Sequence, residues 1–463
     1  MNTKPPANDH HSYTNPYFDH ILHHQKIYLC SLLIILTSIS LFSNYLLQKP
    51  LLVGGESYYV LSSARSELRY NPVTLLFRVI PEQLSFLFPL LISLSIVLLS
   101  YALARKTKIP EKKIFFIILF YLLTPTFLLT SLSIASYQWY LLLVLGGANL
   151  LLLENKKKYF AFIPFLLATT IDTFSALLLL AGIIGYSYHF NKSKEKFTHF
   201  LLISIATVLI ANGTILGAPF FIGPFLVQAR AADFISELGA FSGAGFFCIL
   251  LAIIGIISSW RKKNFLYLIP ALLIFITTYM FNTHAIFFLS LPMAILAAVG
   301  FVYLQEQNWK ISFLKNAVLL LLLLGMAFST VSYLDRLSHF PPTSLDQKAL
   351  QWIDRNTDRS TVVLSAPENS YYISYFAQRK PVFSLHKDYR QQYNLSQHIF
   401  TADYINELFP LLEKNNVSII YVSEEMKQNL PAQYGFLFLL QNERFKLLYF
   451  TDDAEVWSFE AKQ

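Results

Sequence analysis

Residues 51–70 read LLVGGESYYVLSSARSELRY, and the reading of this stretch decides the fold. It lies between two apolar runs, about Ile27 to Leu47 and about Leu84 to Ala104. Each is long enough to cross the hydrocarbon of a bilayer, which takes about 20 residues. A stretch so placed is an aqueous loop held against a membrane. Gly54 and Gly55 free the backbone ahead of a run with helical periodicity. In that run Val60, Leu61, Ala64 and Leu68 share one face while Ser62, Arg65, Ser66 and Arg69 share another. The pattern predicts an interfacial helix near 56–70, lying on the bilayer. Glu56 falls in its first turn and is the only acid between Gly54 and Ser66.

Composition agrees with a membrane setting. Of 463 residues, 54% are hydrophobic, 41 are Phe and only 14% are charged, which excludes a soluble globule. A net charge of +8 would suggest nucleic acid in a soluble protein. Here the basic residues cluster in short loops between apolar runs, the pattern that orients a membrane protein, so nucleic-acid binding is rejected. Cys30 and Cys248 both fall inside expected spans, leaving neither a disulfide framework nor a thiolate cluster. Residues 1–26, polar and rich in His, read as a disordered cytoplasmic tail ahead of a retained signal anchor.

Taken in order, the apolar runs alternate between basic loops and uncharged turns. Basic clusters at Arg105 to Lys113, Lys156 to Lys158, Lys192 to Lys196 and Arg261 to Lys263 fall on one side only if Tyr159 to Phe190 is a hairpin. That hairpin puts Asp172 at its outer tip. A longer outer loop follows, carrying Arg230, Asp233 and Glu237, and the tight outer turn NTHA holds His284. The count is about eleven transmembrane helices over 27–334, with the amino terminus in the cytoplasm. Beyond Pro341-Pro342 the pattern changes to alternating helices and short strands: Leu345 to Arg355 helical, TVVLS a strand, NSYYISYFAQ helical, KPVFSL a strand, Ala402 to Lys414 helical, VSIIYVS a strand, then RFKLLYF and EVWSF as a pair. Residues 335–463 are therefore expected to form an extracytoplasmic α/β domain.

This order of features resembles the membrane glycosyltransferases of the GT-C superfamily. GGESYYVLSSA looks like the family's acidic outer-loop pattern GDExYYxLxxA, with Gly55 where the first acid would stand and Glu56 in the place of the second. ALQWIDRNTDRSTVVLSAPENSYYISYFAQRKPV resembles the start of the outer domain in prokaryotic members, and ISELGAFSGAGF and LPMAILAAVGF resemble late segments. Oligosaccharyltransferase catalytic subunits carry WWDYG after the first strand of the outer domain; here that place reads APENS, Ala366 to Ser370, which argues against transfer of a glycan to Asn. The resemblance implies a prokaryotic plasma-membrane enzyme of the cell envelope that uses a polyprenyl-phosphate sugar as donor, a hexosyl- or pentosyltransferase by class. A lipid, glycan or protein hydroxyl is the implied acceptor.

Displacement of a lipid phosphate by a hydroxyl needs a carboxylate to take the proton, or to hold a divalent metal, and cations beside the leaving phosphate. Glu56 is the candidate base and the metal ligand if there is one; its bland alternative is an acid stabilised by the helix dipole. Arg65 and Arg69 suit a phosphate or, equally, lipid headgroups. Asp172 is a second catalytic candidate, because an acid in an apolar stretch is functional by default, although a turn position lowers its cost. Tyr58, Tyr59, Arg230, Asp233, Glu237 and His284 complete the substrate-binding candidates. Asp233 and Glu237 are equally explained by an amphipathic loop helix, and His284 by a structural turn. Glu368 and Asn369 read as a helix cap. Tyr371, Tyr372 and Phe376 are expected to pack the outer domain onto the membrane part. Two other readings stay open: a catalytically silent GT-C scaffold, prompted by Gly55, and a transporter or flippase, for which no inverted repeat is visible.

Overall fold

The computed structural model describes residues 16–65, 72–153, 156–171, 179–180, 182–184, 196–215, 234–240, 242–260, 285–383, 389–431 and 433–460. The apolar runs become helices: α1 (Gln25–Leu46), α2 (Gly55–Arg65), α3 (Pro72–Val79), α4 (Leu87–Lys106), α5 (Glu111–Leu122), α6 (Pro125–Ser131), α7 (Ser136–Leu151), α8 (Phe162–Thr169), α9 (Lys196–Ile215), α10 (Phe246–Ser259), α11 (Ala285–Glu306) and α12 (Ser312–Leu337). Among the described residues, α1, α4, α11 and α12 are long and apolar enough to cross a membrane, and the pair α5 and α6 makes a fifth if counted together. Asp172, with the tip of its expected hairpin, and the expected crossing from 265 to 281 lie outside the described residues.

By length alone the apolar run from Ile114 to Thr130 is expected to be one span, but it is two helices meeting at 69°. Pro125 has no N–H to donate and its ring would clash with the preceding turn, so one helix stops and another starts. Thr124 caps the new helix, its hydroxyl accepting from the Phe127 N–H.

Large apolar side chains cover the outside of the bundle: Phe313 is 79% exposed, and Ile35, Phe42, Leu321 and Phe328 also point outward. A surface of this kind needs lipid against it. Inside, α10 and α11 cross backbone to backbone. A Cβ on Gly255 would stand 2.0 Å from the Leu296 carbonyl oxygen, and one on Gly300 2.2 Å from that of Leu251. In lipid, small residues at a crossing are what allow such close packing.

The carboxyl-terminal part is the α/β unit expected. Its strands are β1 (Val362–Leu364), β2 (Lys380–Pro381), β3 (Val417–Val422), β4 (Phe445–Phe450) and β5 (Glu455–Phe459), in the order β2-β1-β3-β5-β4. The first three are parallel, and β5 and β4 add on antiparallel. The helix Ser344–Asn356 starts at a capping box, in which Thr343 and Asp346 satisfy each other's backbone N–H. Asn369 does not cap a helix, contrary to the reading from sequence. Its amide, 5% exposed, donates instead to the Ser365 and Ser423 hydroxyls at 2.9 and 3.1 Å, tying together the ends of two parallel strands.

The domain sits on α2. Tyr58, 2% exposed, lies among Tyr372, Tyr375 and Phe376, with ring centroids 5.4, 5.1 and 5.0 Å away. The aromatic cluster expected to pack the domain down therefore closes over the outer-loop helix, whose Val60 and Leu61 are also buried. The apolar surface free to meet a bilayer is on the next helix, where Val79 is 84% exposed and Leu75 and Leu76 are exposed beside it.

Candidate functional site

Three backbone positions of the turn after α6 are tied to the start of the outer loop. The Val53 N–H donates to the Leu132 carbonyl at 3.0 Å. The Ile134 N–H donates to the Ser57 hydroxyl at 2.9 Å, and the Ser136 N–H to Glu56 Oε1 at 2.8 Å. Gly54, at φ +82°, supplies the left-handed bend that turns the chain into α2 and aims Glu56 at this seam. Ser136 is the first residue of α7, so the Glu56 carboxylate stands at the amino-terminal ends of two helices. Negative charge is favoured there by about 0.3 to 1 kcal/mol per helix. Among the described residues Oε2 makes no hydrogen bond, which leaves one carboxylate oxygen for a substrate.

The Glu56 carboxylate is within electrostatic reach of the Tyr137 phenol, and Tyr137 in turn of Tyr333. Tyr137 lies flat on Phe287, with centroids 3.8 Å apart and planes 10° apart. The Arg336 guanidinium lies 5.4 Å from the Tyr333 ring centroid. Arg336 is half-buried; its Nη2 donates to the Ser236 hydroxyl at 2.7 Å, and its Nε is buried with no hydrogen-bond partner among the described residues. Arg336 is thus a cation with a buried donor left unused among the described residues, the kind of group that can take up an anion. Sequence reasoning missed Arg336 because it ends the last apolar run, where a basic residue reads as a membrane anchor. Lys49 belongs to the same rim, its ammonium donating to the Ser338 carbonyl at 2.6 Å. Burial lowers its pKa, while Asp346, Glu424 and Asp453 of the outer domain oppose that shift.

Arg65 is not brought to Glu56. Nine residues separate them on one helix, about 13 Å along the axis and half a turn apart. Arg65 instead pairs with Glu82, donates to the Tyr375 carbonyl at 3.4 Å and lies 4.5 Å over the Tyr375 ring, and Tyr375 also bonds Glu82. It borders a cavity of about 330 Å³ with Arg78 and Glu82. Tyr58 holds the outer domain, its hydroxyl donating to the Leu52 carbonyl at 2.7 Å. Tyr59 is half-buried, 5.6 Å from the Tyr371 ring. Glu237 caps α10, both of its oxygens accepting from the Phe246 N–H at 3.0 Å, and it also accepts from Ser329. Arg69, Asp172, Arg230, Asp233 and His284 lie outside the described residues. Among those described, no three His, Cys, Asp or Glu side chains gather to hold a metal, and the position beside Glu56 is closed to a second acid. A Cβ on Gly55 would meet Tyr371 Cδ2 at 2.6 Å.

No family model matches the sequence, and no curated protein does. Solved structures match throughout its length. The oligosaccharyltransferase AglB of the archaeon Archaeoglobus fulgidus, in complex with an inhibitory peptide and a dolichol-phosphate, gives a TM-score of 0.58 over 95% of this chain and 75% of its own, at 14% identity. ArnT from Cupriavidus metallidurans, in the apo state, gives 0.52 over 94% of this chain and 98% of its own, at 11% identity. The chain shares its fold with these two proteins, both of them GT-C membrane glycosyltransferases. Within this fold Glu56 and the first turn of α7 meet beneath the carboxyl-terminal domain, and Arg336 lies in the last turn of α12.

Proposed function

We propose that the protein is an integral membrane glycosyltransferase that moves a sugar from a polyprenyl-phosphate-linked donor to an extracytoplasmic hydroxyl. The observation that carries this reading is the Glu56 carboxylate, held by one oxygen at the Ser136 N–H and open at the other. The AglB structure that the chain resembles was obtained with a dolichol-phosphate, a lipid phosphate of the class invoked here. In the reaction the acceptor oxygen attacks the anomeric carbon and its proton passes to Glu56 Oε2. The bond from that carbon to the phosphate oxygen breaks, and the electron pair leaves with the lipid phosphate beside the Arg336 guanidinium. Configuration at carbon inverts. If a divalent cation takes part, Glu56 is the residue that would hold it, and the cation would supply the charge that helps deprotonate the acceptor. Asp172 remains a second catalytic candidate, Arg69 and Arg230 remain candidates for the donor phosphate, and Asp233 and His284 remain candidates for substrate binding.

The test is transfer of labelled sugar from a panel of polyprenyl-phosphate donors by the purified protein in lipid. Glu56→Gln is expected to lose at least about a hundredfold in turnover, the scale of general-base catalysis. The amide oxygen still accepts from the Ser136 N–H, so folding is spared. Arg336→Ala is expected to lose a similar factor. Undiminished transfer by Glu56→Gln removes the base from the mechanism. A second reading, a silent scaffold that binds lipid-linked sugar, is favoured by the Tyr371 ring that fills the space beside Gly55. Sugar-lipid binding without transfer from any donor would establish it.

A further inference from the structure

The cavity of about 330 Å³ that Arg65 borders lies between the last turns of α2 and α3. Leu61 and Phe77 belong to its apolar wall, and among the described residues its charged groups are Arg65, Arg78 and Glu82. Two guanidinium groups thus stand against one carboxylate, and Glu82 already divides its oxygens between Arg65 and the Tyr375 hydroxyl. A guanidinium fork matches a phosphate through two parallel hydrogen bonds. The setting of the cavity comes from α3. Its Val73, Thr74 and Phe77 are buried while Leu75, Leu76 and Val79 are exposed, so an apolar face is turned outward. That face continues through the exposed Leu84 and Leu87 to Leu91 and Leu98 of α4, a helix long and apolar enough to cross a membrane. An apolar helical face continuous with a spanning helix lies where hydrocarbon meets headgroups. Arg78, three residues after Leu75, stands at the margin of that face, the place from which a long basic side chain reaches the headgroup layer.

We infer that this cavity holds the headgroup phosphate of an anionic membrane phospholipid, whose acyl chains lie along the exposed face of α3. Arg65 and Arg78 supply the attraction, and Glu82 opposes it. A zwitterionic headgroup would bring its own cation beside two guanidinium groups, so the anionic lipid is the one selected. The phosphate of a sugar donor does not suit the position. Arg65 lies about 13 Å along α2 from Glu56 and half a turn round it, too far for a phosphate bonded to the carbon that Glu56 serves. Arg65 also donates to the Tyr375 carbonyl and lies 4.5 Å from the Tyr375 ring centroid. The bound lipid therefore joins α2, α3 and the outer domain, and it does so whether or not the chain transfers a sugar.

The test places the full-length protein, carrying Val79→Trp on the exposed face, in nanodiscs of phosphatidylglycerol and phosphatidylcholine in equal parts. Either lipid is brominated on its acyl chains, and quenching of the fluorescence gained over the wild type reports which lipid lies against α3. Phosphatidylglycerol is expected to be enriched there about fivefold, the effect of one net positive charge at a membrane surface. Adding Arg78→Gln is expected to abolish the enrichment. Adding Glu82→Gln is expected to raise it about a further fivefold, a gain that a merely structural pairing of Glu82 with Arg65 does not predict. Lys108→Gln, an exposed basic residue beyond the far end of α4, is expected to leave it unchanged. Equal quenching by the two lipids, or an enrichment that neither Arg78→Gln nor Glu82→Gln alters, would overturn the inference. Displacement of phosphatidylglycerol by a trace of polyprenyl phosphate would overturn it in favour of the donor, and displacement by inorganic phosphate in favour of a soluble anion.

Discussion

Glu56 and Gly55 are neighbours with opposite legibility. Glu56 is visible in the sequence as a lone acid after two glycines. Its partner is not, because the Ser136 N–H comes from a turn eighty residues later that nothing in the sequence pairs with the loop. Gly55 reads as backbone freedom, yet the structure gives it a steric reason, with Tyr371 Cδ2 at 2.6 Å from where a Cβ would be. Gly55→Ala is therefore expected to destabilise the protein by about 1 to 3 kcal/mol, the usual cost of overpacking. In the Tyr371→Ala background the same substitution is expected to cost less than about half as much. Thermal unfolding of the four proteins in detergent closes the cycle, and a cost for Gly55→Ala independent of Tyr371 would mean the contact is not what excludes a side chain there. Arg65 shows a limit of face counting. Its place on the polar face was legible, but Glu82 and Tyr375, which engage it, lie across a turn and in another domain.

At the level of elements, apolar length located the helices within a few residues but could not say how they meet. The run from Ile114 to Thr130 carried its own signal of a break in Thr124-Pro125, and the length criterion overrode it. The crossing of α10 and α11 left only two glycines as a trace, Gly255 and Gly300, each facing the other helix's backbone at about 2 Å from a notional Cβ. Gly300→Ile is expected to push the helices apart and abolish recovery of folded protein from membranes, since neither contact atom can move without its helix. Gly146→Ala, in α7, meets nothing within 4 Å and is expected to express like the wild type. Comparable yields of monodisperse Gly300→Ile and wild type on size exclusion would refute a tight crossing. In the outer domain the strands were legible because β-branched and aromatic runs sit between turn residues. The burial of Asn369 was not, because its partners Ser365 and Ser423 come together only when two parallel strands align.

Across the whole molecule, the membrane part and the outer domain are joined through α2, so a change in one is felt by the other. Burial pushes the Tyr421 phenol well above its ordinary value near 10, and the Asp346 carboxylate that accepts its hydrogen bond at 2.5 Å adds to the shift. Tyr372, within reach of Asp346 and Glu425, is also raised, with burial again the larger cause. A phenol whose pKa is higher in the folded state keeps its proton there while the unfolded chain loses its own. The stability it contributes is therefore complete below pH 10 and declines above it. The outer domain is expected to melt at falling temperature from pH 10 upward, with a shallower fall in Tyr421→Phe; parallel curves would place the alkaline loss elsewhere. Orientation is the remaining whole-molecule claim. The basic loop at Arg105 to Lys113 and the outer domain are expected on opposite sides of the membrane, because the positive loops stay in the cytoplasm. Thr401→Cys and Lys108→Cys each put a thiol at an exposed position, while Cys30 and Cys248 lie within the apolar helices α1 and α10. In intact cells a membrane-impermeant maleimide is expected to label Thr401→Cys alone, and both after the membrane is opened. Labelling of Lys108→Cys alone in intact cells would place Glu56 and the outer domain in the cytoplasm, and the acceptor with them.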